Sequence, residues 1–334
     1  MKFKAVTSPL QDRSLLITGG TGSFGRAFAR HALDDGARRV AIYSRGESAQ
    51  AAMRSALADD PRLRFFIGDV RDFDRLSDAL QHVELVVHAA ALKRIEVCEA
   101  DPAEAVATNI RGTLNVARAC IIEGVERAVF LSTDKAAGPN TLYGATKLCA
   151  ERLWCGWNVY AAGTNTRLAA TRYGNVLGST GSVVPLWKQQ HARGEPLTIT
   201  DVRMTRFWMT MARAVDLVLT AFEEMRGGEV FVPTIGGAPI LDLARAIVEV
   251  DGVYAPGHVE TGMRPGEKLH ETLISEEEAR HTRACGQHFV IEPEAPTWGR
   301  GGAWRGIPVP AGFAYRSDAP AHTLSVEDLR RMVA

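Results

Sequence analysis

The sequence carries little that would commit it to a nucleic acid, a membrane or a metal. Lys and Arg number 39 together and Asp and Glu also number 39, so the formal net charge is zero at pH 7 over 334 residues. That balance leaves no basic stripe for a phosphate backbone and no polybasic segment for an anionic lipid surface. The longest apolar runs, such as residues 85–92, fall short of the roughly 18 residues that a membrane helix needs, and the N-terminal MKFKAVTSPLQDRS has no apolar signal core. Cysteine is sparse: Cys98, Cys120, Cys149, Cys155 and Cys285 form no CxxC pair and have no histidine at ligand spacing. Reduced thiols, a cytoplasmic location and no metal site are expected.

What is present suits a large folded core, because 46% of the residues are hydrophobic and 23% charged. Apolar runs at 15–18, 40–43, 63–67, 85–89 and 128–132 lack two-residue alternation and read as strands covered on both faces. Helical patterns at 24–33, 49–57, 73–80, 103–122 and 143–157 lie between or after them. Two of these helices enter through Asp72 and through Asp101-Pro102, an acidic cap and a first-turn proline. The alternation predicts an α/β, doubly wound parallel sheet. A sixth strand is expected at 167–173, and beyond it the elements scatter: helices at 183–193, 212–225 and 241–250, a strand at 229–232, and irregular chain at 292–312. Residues 1–175 form the expected dinucleotide-binding domain. Residues 176–334 form mainly a smaller substrate lobe, with segments returning to the first domain and a ligand cleft between the two.

The first strand runs into Gly19-Gly20-Thr21-Gly22-Ser23-Phe24-Gly25 and then directly into a helix. Glycines at 19, 22 and 25 permit a tight turn, close approach of a pyrophosphate and close helix–strand packing, and the helix start offers free N–H groups to the anion. The second strand ends Tyr43-Ser44-Arg45, without the acid that NAD enzymes place against the ribose hydroxyl. Arg45 there suits a 2′-phosphate, so NADP is the expected cofactor. Asp69 and Val70 fall at the adenine edge, and small residues at 89–91 let a cofactor lie against the backbone.

Tyr143 and Lys147 stand four apart in YGATK, after the fifth strand and its ending Ser132-Thr133-Asp134-Lys135. On one helix face they can share a cofactor ribose, with the ammonium lowering the phenol's pKa. With these residues in place the chain resembles an extended short-chain dehydrogenase/reductase of the nucleotide-sugar 4,6-dehydratase kind. TGGTGSFG, HAAALKRIEVCEADPAEAVATNIRGTLNV, STDKAAGPNTLYGATKL, RYGNVLGSTGSVVP, ITDVRMTRFWMT, GGEVFVP and GMRPGEKLHE are similar, in order, to soluble inverting UDP-N-acetylglucosamine 4,6-dehydratases.

The resemblance implies that Tyr143 deprotonates the 4-hydroxyl, Lys135 removes the carbon-5 proton and Asp134 protonates the departing 6-hydroxyl, with Thr133 and Lys147 completing the catalytic group. Elimination requires a protonated Asp134 and a neutral Lys135. Tyr143, where retaining relatives have Met, implies inversion at carbon 5. The implied cofactor set is Gly19, Thr21, Gly22, Ser23, Phe24, Gly25, Ser44, Arg45, Asp69, Val70, Ala89, Ala90, Lys93, Tyr143, Lys147 and Val176. A UDP-sugar would meet Lys93, Asn175, Arg206 and Arg264, with Glu267 on the uridine ribose. Arg45, Lys93, Arg206 and Arg264 together predict a positive cleft. The run Glu276-Glu277-Glu278 reads as a solvated helix face, and His88 and His270 as locally bonded. Gly138, Thr141 and an expanded 250–261 stretch depart from the pattern and leave room for a variant nucleotide sugar. A UDP-sugar 4-epimerase or 5,6-dehydratase is the alternative on the same scaffold; a non-catalytic dinucleotide sensor would not need the Tyr143/Lys147 pair. A homo-oligomer, a dimer or larger, would pair through helices 103–122 and 143–157.

Overall fold

Six apolar runs pair as parallel strands: β1 (Ser14–Thr18), β2 (Arg39–Ser44), β3 (Leu63–Ile67), β4 (Leu85–His88), β5 (Arg127–Leu131) and β6 (Arg167–Thr171), in the order β3-β2-β1-β4-β5-β6. The structure is a computed structural model that describes residues 8–250, 253–255, 257–294 and 305–334. Chain order reverses between β1 and β4, so the carboxyl ends of these two strands open a crevice where α/β sheets take ligands. Two apolar layers cover the sheet. One is built on Leu16, Val86, Phe130 and Trp154, and the other on Leu15, Ile17, Phe28 and Phe222. Strand β3 departs from the expectation of full coverage: it is the edge strand, and Ile67 is half exposed.

Helix α1 (Ser23–Asp34) follows β1 at once, α2 (Glu47–Ala56) follows β2, and α3 (Phe73–Leu80) starts at Asp72, whose carboxylate accepts from the Arg75 amide. The expected helix over 103–122 forms as Pro102–Val106 and Gly112–Ile122 around a π-helical turn, Ala107–Arg111. The wide turn presents Asn109 to the loop after β4, where its side chain accepts from the Leu92 amide and donates to the Leu92 carbonyl and to Thr146. Such bulges trade helical regularity for the placement of one side chain.

The sheet does not stop at six parallel strands. Val230–Pro233 adds in parallel to β6, and His288–Ile291, Thr282–Ala284 and Ile307–Pro308 continue it antiparallel. The last of these strands lies in the stretch expected to be irregular, of which residues 295–304 lie outside the described residues. In the expanded stretch, Val253–Tyr254 pairs with Glu249–Val250, and His258–Glu260 runs beside Leu197–Ile199; residues 251, 252 and 256 are likewise outside the described residues. The smaller lobe packs helices Val183–Ala192, Ile240–Val248 and Val326–Val333 around Trp187, Leu197, Leu243 and Leu329. Its three-stranded sheet joins Asn175–Val176, Thr205–Met209 and Gly237–Pro239.

Arg172, just past β6 and 1% exposed, joins the segment at 273–278 to the sheet and its covering helix. Its guanidinium donates to Glu151 on helix Leu142–Gly156, to Glu278 and to the Leu273 carbonyl. The 276–278 run is therefore not a wholly solvated face. Glu278 turns inward to Arg172 and also closes a capping box with Ser275. Among the described residues no helix is long and apolar enough to cross a membrane, and no cluster of His, Cys, Asp and Glu could hold a metal ion.

Candidate active site

The turn after β1 is built for close approach. Gly19 has φ +64°, and a Cβ there would lie 2.8 Å from the backbone of Ala90. A Cβ on Gly25 would lie 2.4 Å from the Gly20 carbonyl oxygen, so only glycine lets α1 start this near the strand. Gly22 caps α1 without any side-chain acceptor, which leaves the helix's first N–H groups for an anion. These residues fit a dinucleotide. Gly19→Ala is expected to weaken dinucleotide binding roughly tenfold, the equivalent of ~1.4 kcal/mol of strain, read as a rightward shift in a tryptophan-quenching titration.

At the far end of this cradle the Tyr43 hydroxyl donates to the Asp69 carbonyl, and the Gln50 amide holds Ser44. The Asp69 carboxylate is engaged by Arg71, and Val70 is buried in the core against Gly112. Arg45 is exposed, 3.8 Å from Asp69 and 4.0 Å from Glu104. Ala89 and Ala90 border the glycine turn.

A second chain segment crosses this cradle from the smaller lobe. Ser23, at the start of α1, shares a hydroxyl hydrogen bond with Thr180 (2.8 Å) and accepts from the Thr180 amide (2.9 Å), while Lys93 Nζ donates to the Thr180 carbonyl (2.7 Å). Gly178 and Gly181, both at positive φ, flank the contact. Thr21 and Phe24 stay on the turn and on α1; Val176 lies on the strand that leads into the crossing segment.

The proton-handling residues gather past β5. Asp134–Ala136 forms a single 3-10 turn capped by Thr133, and it puts Asp134 at 1% exposure beneath Lys135. Asp134 Oδ1 accepts from the Thr133 hydroxyl (2.9 Å) and from Lys135 Nζ (3.1 Å). Tyr143 lies in the first turn of helix Leu142–Gly156, buried beside the turn at Thr133. That helix can sit against the turn because residue 144 is glycine: a Cβ there would meet the Lys135 carbonyl oxygen at 2.5 Å.

Two expectations are corrected here. Lys147 does not lower the Tyr143 phenol: its Nζ donates to the Leu131 carbonyl (2.6 Å) and lies 3.8 Å from the centre of the Phe130 ring. Burial pushes Tyr143 up to about 12, with Lys135 as the cation opposing it, and burial also pulls Lys147 down to about 7. Lys135, expected neutral, is held charged. Burial lowers its pKa, but Asp134 and a second carboxylate, Glu271, more than reverse that.

Sequence reasoning missed Glu271. It lies 3.3 Å from Lys135 Nζ, is 2% exposed and stands next to strand Thr272–Ile274. Its only signal was membership of the GMRPGEKLHE run, 136 positions from its partner. Arg206, expected on a diphosphate, turns inward instead: its guanidinium donates to the carbonyls of Thr205 and Leu269 and lies 3.9 Å from Glu271. Arg264 is exposed, its amide bonded to Glu267, and Asn175 is half buried. Of the four cations expected to make the cleft positive, Arg45 and Arg206 thus face carboxylates. Lys268, also missed, clamps the 137–141 loop through the Ala137 carbonyl (2.8 Å). His88 sits between Thr18 and Thr113, and His270 bonds Thr205, both as local partners.

Over residues 15–293 the sequence matches the family described as polysaccharide biosynthesis protein. The chain belongs to that family. Within it, the chain is 43% identical over 317 residues to a UDP-N-acetylglucosamine 4,6-dehydratase (inverting) of Campylobacter jejuni, covering 92% of each chain. It is also 41% identical over 284 residues to a UDP-glucose 4-epimerase of Rickettsia akari, covering 84% of this chain and 83% of that one. Among solved structures it resembles the dTDP-glucose 4,6-dehydratase of Streptomyces venezuelae, crystallised with NAD: the TM-score is 0.70 at 25% identity, over 77% of this chain and 86% of that one. The family member described here therefore has the dinucleotide-binding α/β fold that its glycine turn announced.

Proposed function

We propose that the protein dehydrates UDP-N-acetylglucosamine to a UDP-4-keto-6-deoxy-hexosamine with inversion at carbon 5, using NADP in a redox-neutral lyase reaction. The observation that supports this most is the Asp134-Lys135 pair, buried at the end of β5 beside Tyr143. An epimerase moves hydrogen only at carbon 4. A dehydratase must also break the C5–H and C6–O bonds, which calls for one further base and one further acid.

Gly19, Gly22, Gly25 and the start of α1 would hold the pyrophosphate, and Arg45 the 2′-phosphate. Arg45's contacts of 3.8 and 4.0 Å to carboxylates exceed hydrogen-bond length and leave its donors for a phosphate. Held there, NADP would supply the hydride acceptor for carbon 4 and the hydride donor for carbon 6. Tyr143, neutral at rest, would take the 4-hydroxyl proton as phenolate, after its own phenol proton has passed to solvent. Lys135, held as ammonium at rest, must first release a proton to solvent; as free amine it then takes the carbon-5 proton, which the new 4-ketone has made acidic. Asp134 gives its proton to the 6-oxygen as the C6–O bond breaks and water leaves. Burial raises the Asp134 carboxyl, Lys135 opposes this and Glu271 adds to it, with a net rise that favours the protonated acid. The same reading takes the enzyme to be cytoplasmic and a dimer or larger, paired through the helices at 102–122 and 142–156.

The test is incubation with UDP-N-acetylglucosamine in deuterated buffer, followed by NMR. A 4-keto-6-deoxy product with deuterium at an inverted carbon 5 is expected. Unchanged substrate overturns the reading. The 4-epimer alone, without deuterium at carbon 5, would establish instead the epimerase reading that the Rickettsia relative favours.

A further inference from the structure

Asp134 and Glu271 flank one ammonium, with Lys135 Nζ 3.1 Å from the first and 3.3 Å from the second. Each carboxylate keeps one oxygen, Asp134 Oδ2 and Glu271 Oε2, buried without a hydrogen-bond partner. Two carboxylates in one dry pocket do not both ionise at ordinary cost, and the proton settles on the one with less positive charge around it. The surroundings are unequal. Glu271 has Arg206 Nε at 3.9 Å in addition to Lys135, Asp134 has Lys135 and the hydroxyl of Thr133, and Lys268 acts on both carboxylates, more strongly on Glu271. Tyr143 also faces Asp134, and its neutral phenol adds no charge at neutral pH.

We infer that Glu271 is the positioning residue that puts the proton on Asp134: held ionised by Arg206, Lys135 and Lys268, it makes the protonated acid the resting form of Asp134. This rests on the dehydratase reading and assigns that reading an unrecognised member. The charge directions agree. Burial raises Glu271, but its three cations bring it below the usual carboxylate range, whereas Asp134 stays above it. The leaving-group step balances: the Asp134 O–H bond breaks as the 6-oxygen gains that proton and the C6–O electrons, and Asp134 is left as carboxylate beside the Lys135 that has just gained the carbon-5 proton.

Infrared difference spectroscopy of the dinucleotide-bound enzyme tests this without substrate. The wild type should show the carbonyl stretch of a buried protonated carboxyl at pH 7, and Asp134→Asn should remove it. In Glu271→Gln the band should survive only at pH at least one unit lower, and Glu271→Asp should restore part of the shift. With UDP-N-acetylglucosamine, the fall of kcat at high pH should move down in Glu271→Gln by the same interval with KM little changed, a movement that a purely structural role would not give. A band that persists in Asp134→Asn, or that titrates identically in Glu271→Gln and wild type, overturns the assignment. Should Glu271→Gln fail to fold, Glu271→Asp and Arg206→Gln carry the same test, each expected to lower the pH at which the band is lost or to transfer the band away from Asp134; no change in either overturns it. A wild type that shows the band but does not turn over UDP-N-acetylglucosamine sinks the dehydratase reading and leaves the proton assignment standing.

Discussion

Lys135→Ala should lower turnover of UDP-N-acetylglucosamine by roughly 10²–10⁴-fold, the contribution of one positioned acid–base group, while leaving dinucleotide binding near wild type. On the dehydratase reading the amine takes the carbon-5 proton, so deuterium incorporation at that carbon should fall in parallel with product, which NMR reads in one experiment. The substitution also strips the shared cation from Asp134 and Glu271. Two buried carboxyls without it would compete for protons, so the residual rate should rise as pH falls toward the carboxylate range. Retention of the wild-type deuterium rate in Lys135→Ala would remove Lys135 from the chemistry.

The second large effect concerns stability. Arg172→Met should cost about 3–5 kcal/mol, the range for removing one partner of a buried ion pair, because it leaves Glu151 at 2% exposure unanswered and the largely buried Glu278 with only the exposed Arg152, 3.9 Å away. A lower urea midpoint is the measurement. Simultaneous replacement of Glu151, Arg172 and Glu278 by apolar residues of similar size should recover much of the loss, since uncompensated charge rather than lost attraction dominates it. Burial pushes the Glu278 carboxyl up, and the hydrogen bonds and charge of Arg172 more than reverse this and hold it below its ordinary value. Its share of stability is therefore full above the unfolded-state pKa and is lost as pH falls toward the depressed folded value. Arg172→Met should flatten that acid dependence.

How much the sequence revealed follows the range of the interactions concerned. The strands at 15–18, 40–43, 85–89 and 128–132 and the glycine turn are local signals, in which apolar runs and spacing alone carry the inference. The antiparallel edge from His288–Ile291 to Ile307–Pro308 was not legible, because short strands after a Gly-rich stretch have no local period that says which sheet they join. The π turn at Ala107–Arg111 was hidden for a similar reason: 103–122 has helical periodicity throughout, and the demand for a wider turn comes from Leu92 and Thr146, distant in sequence. At the site, Thr133, Asp134, Lys135 and Tyr143 were found because they are neighbours along the chain. Glu271, Arg206 and Lys268 meet them only through folding, so their charges and the true protonation balance of the pair could not be read from spacing. Lys147 shows the converse, since its spacing from Tyr143 was right while its hydrogen bond goes to Leu131.

The Thr180 crossing has a consequence for kinetics. On the proposed reading a dinucleotide in the glycine cradle would lie behind three hydrogen bonds, two between Ser23 and Thr180 and one from Lys93, and its departure would call for the segment between Gly178 and Gly181 to swing aside. A reaction that returns its cofactor to the starting oxidation state at every cycle gains nothing from fast exchange. Long residence behind that latch would uncouple the rate from the cell's ratio of oxidised to reduced dinucleotide, leaving sugar-nucleotide supply as what governs flux.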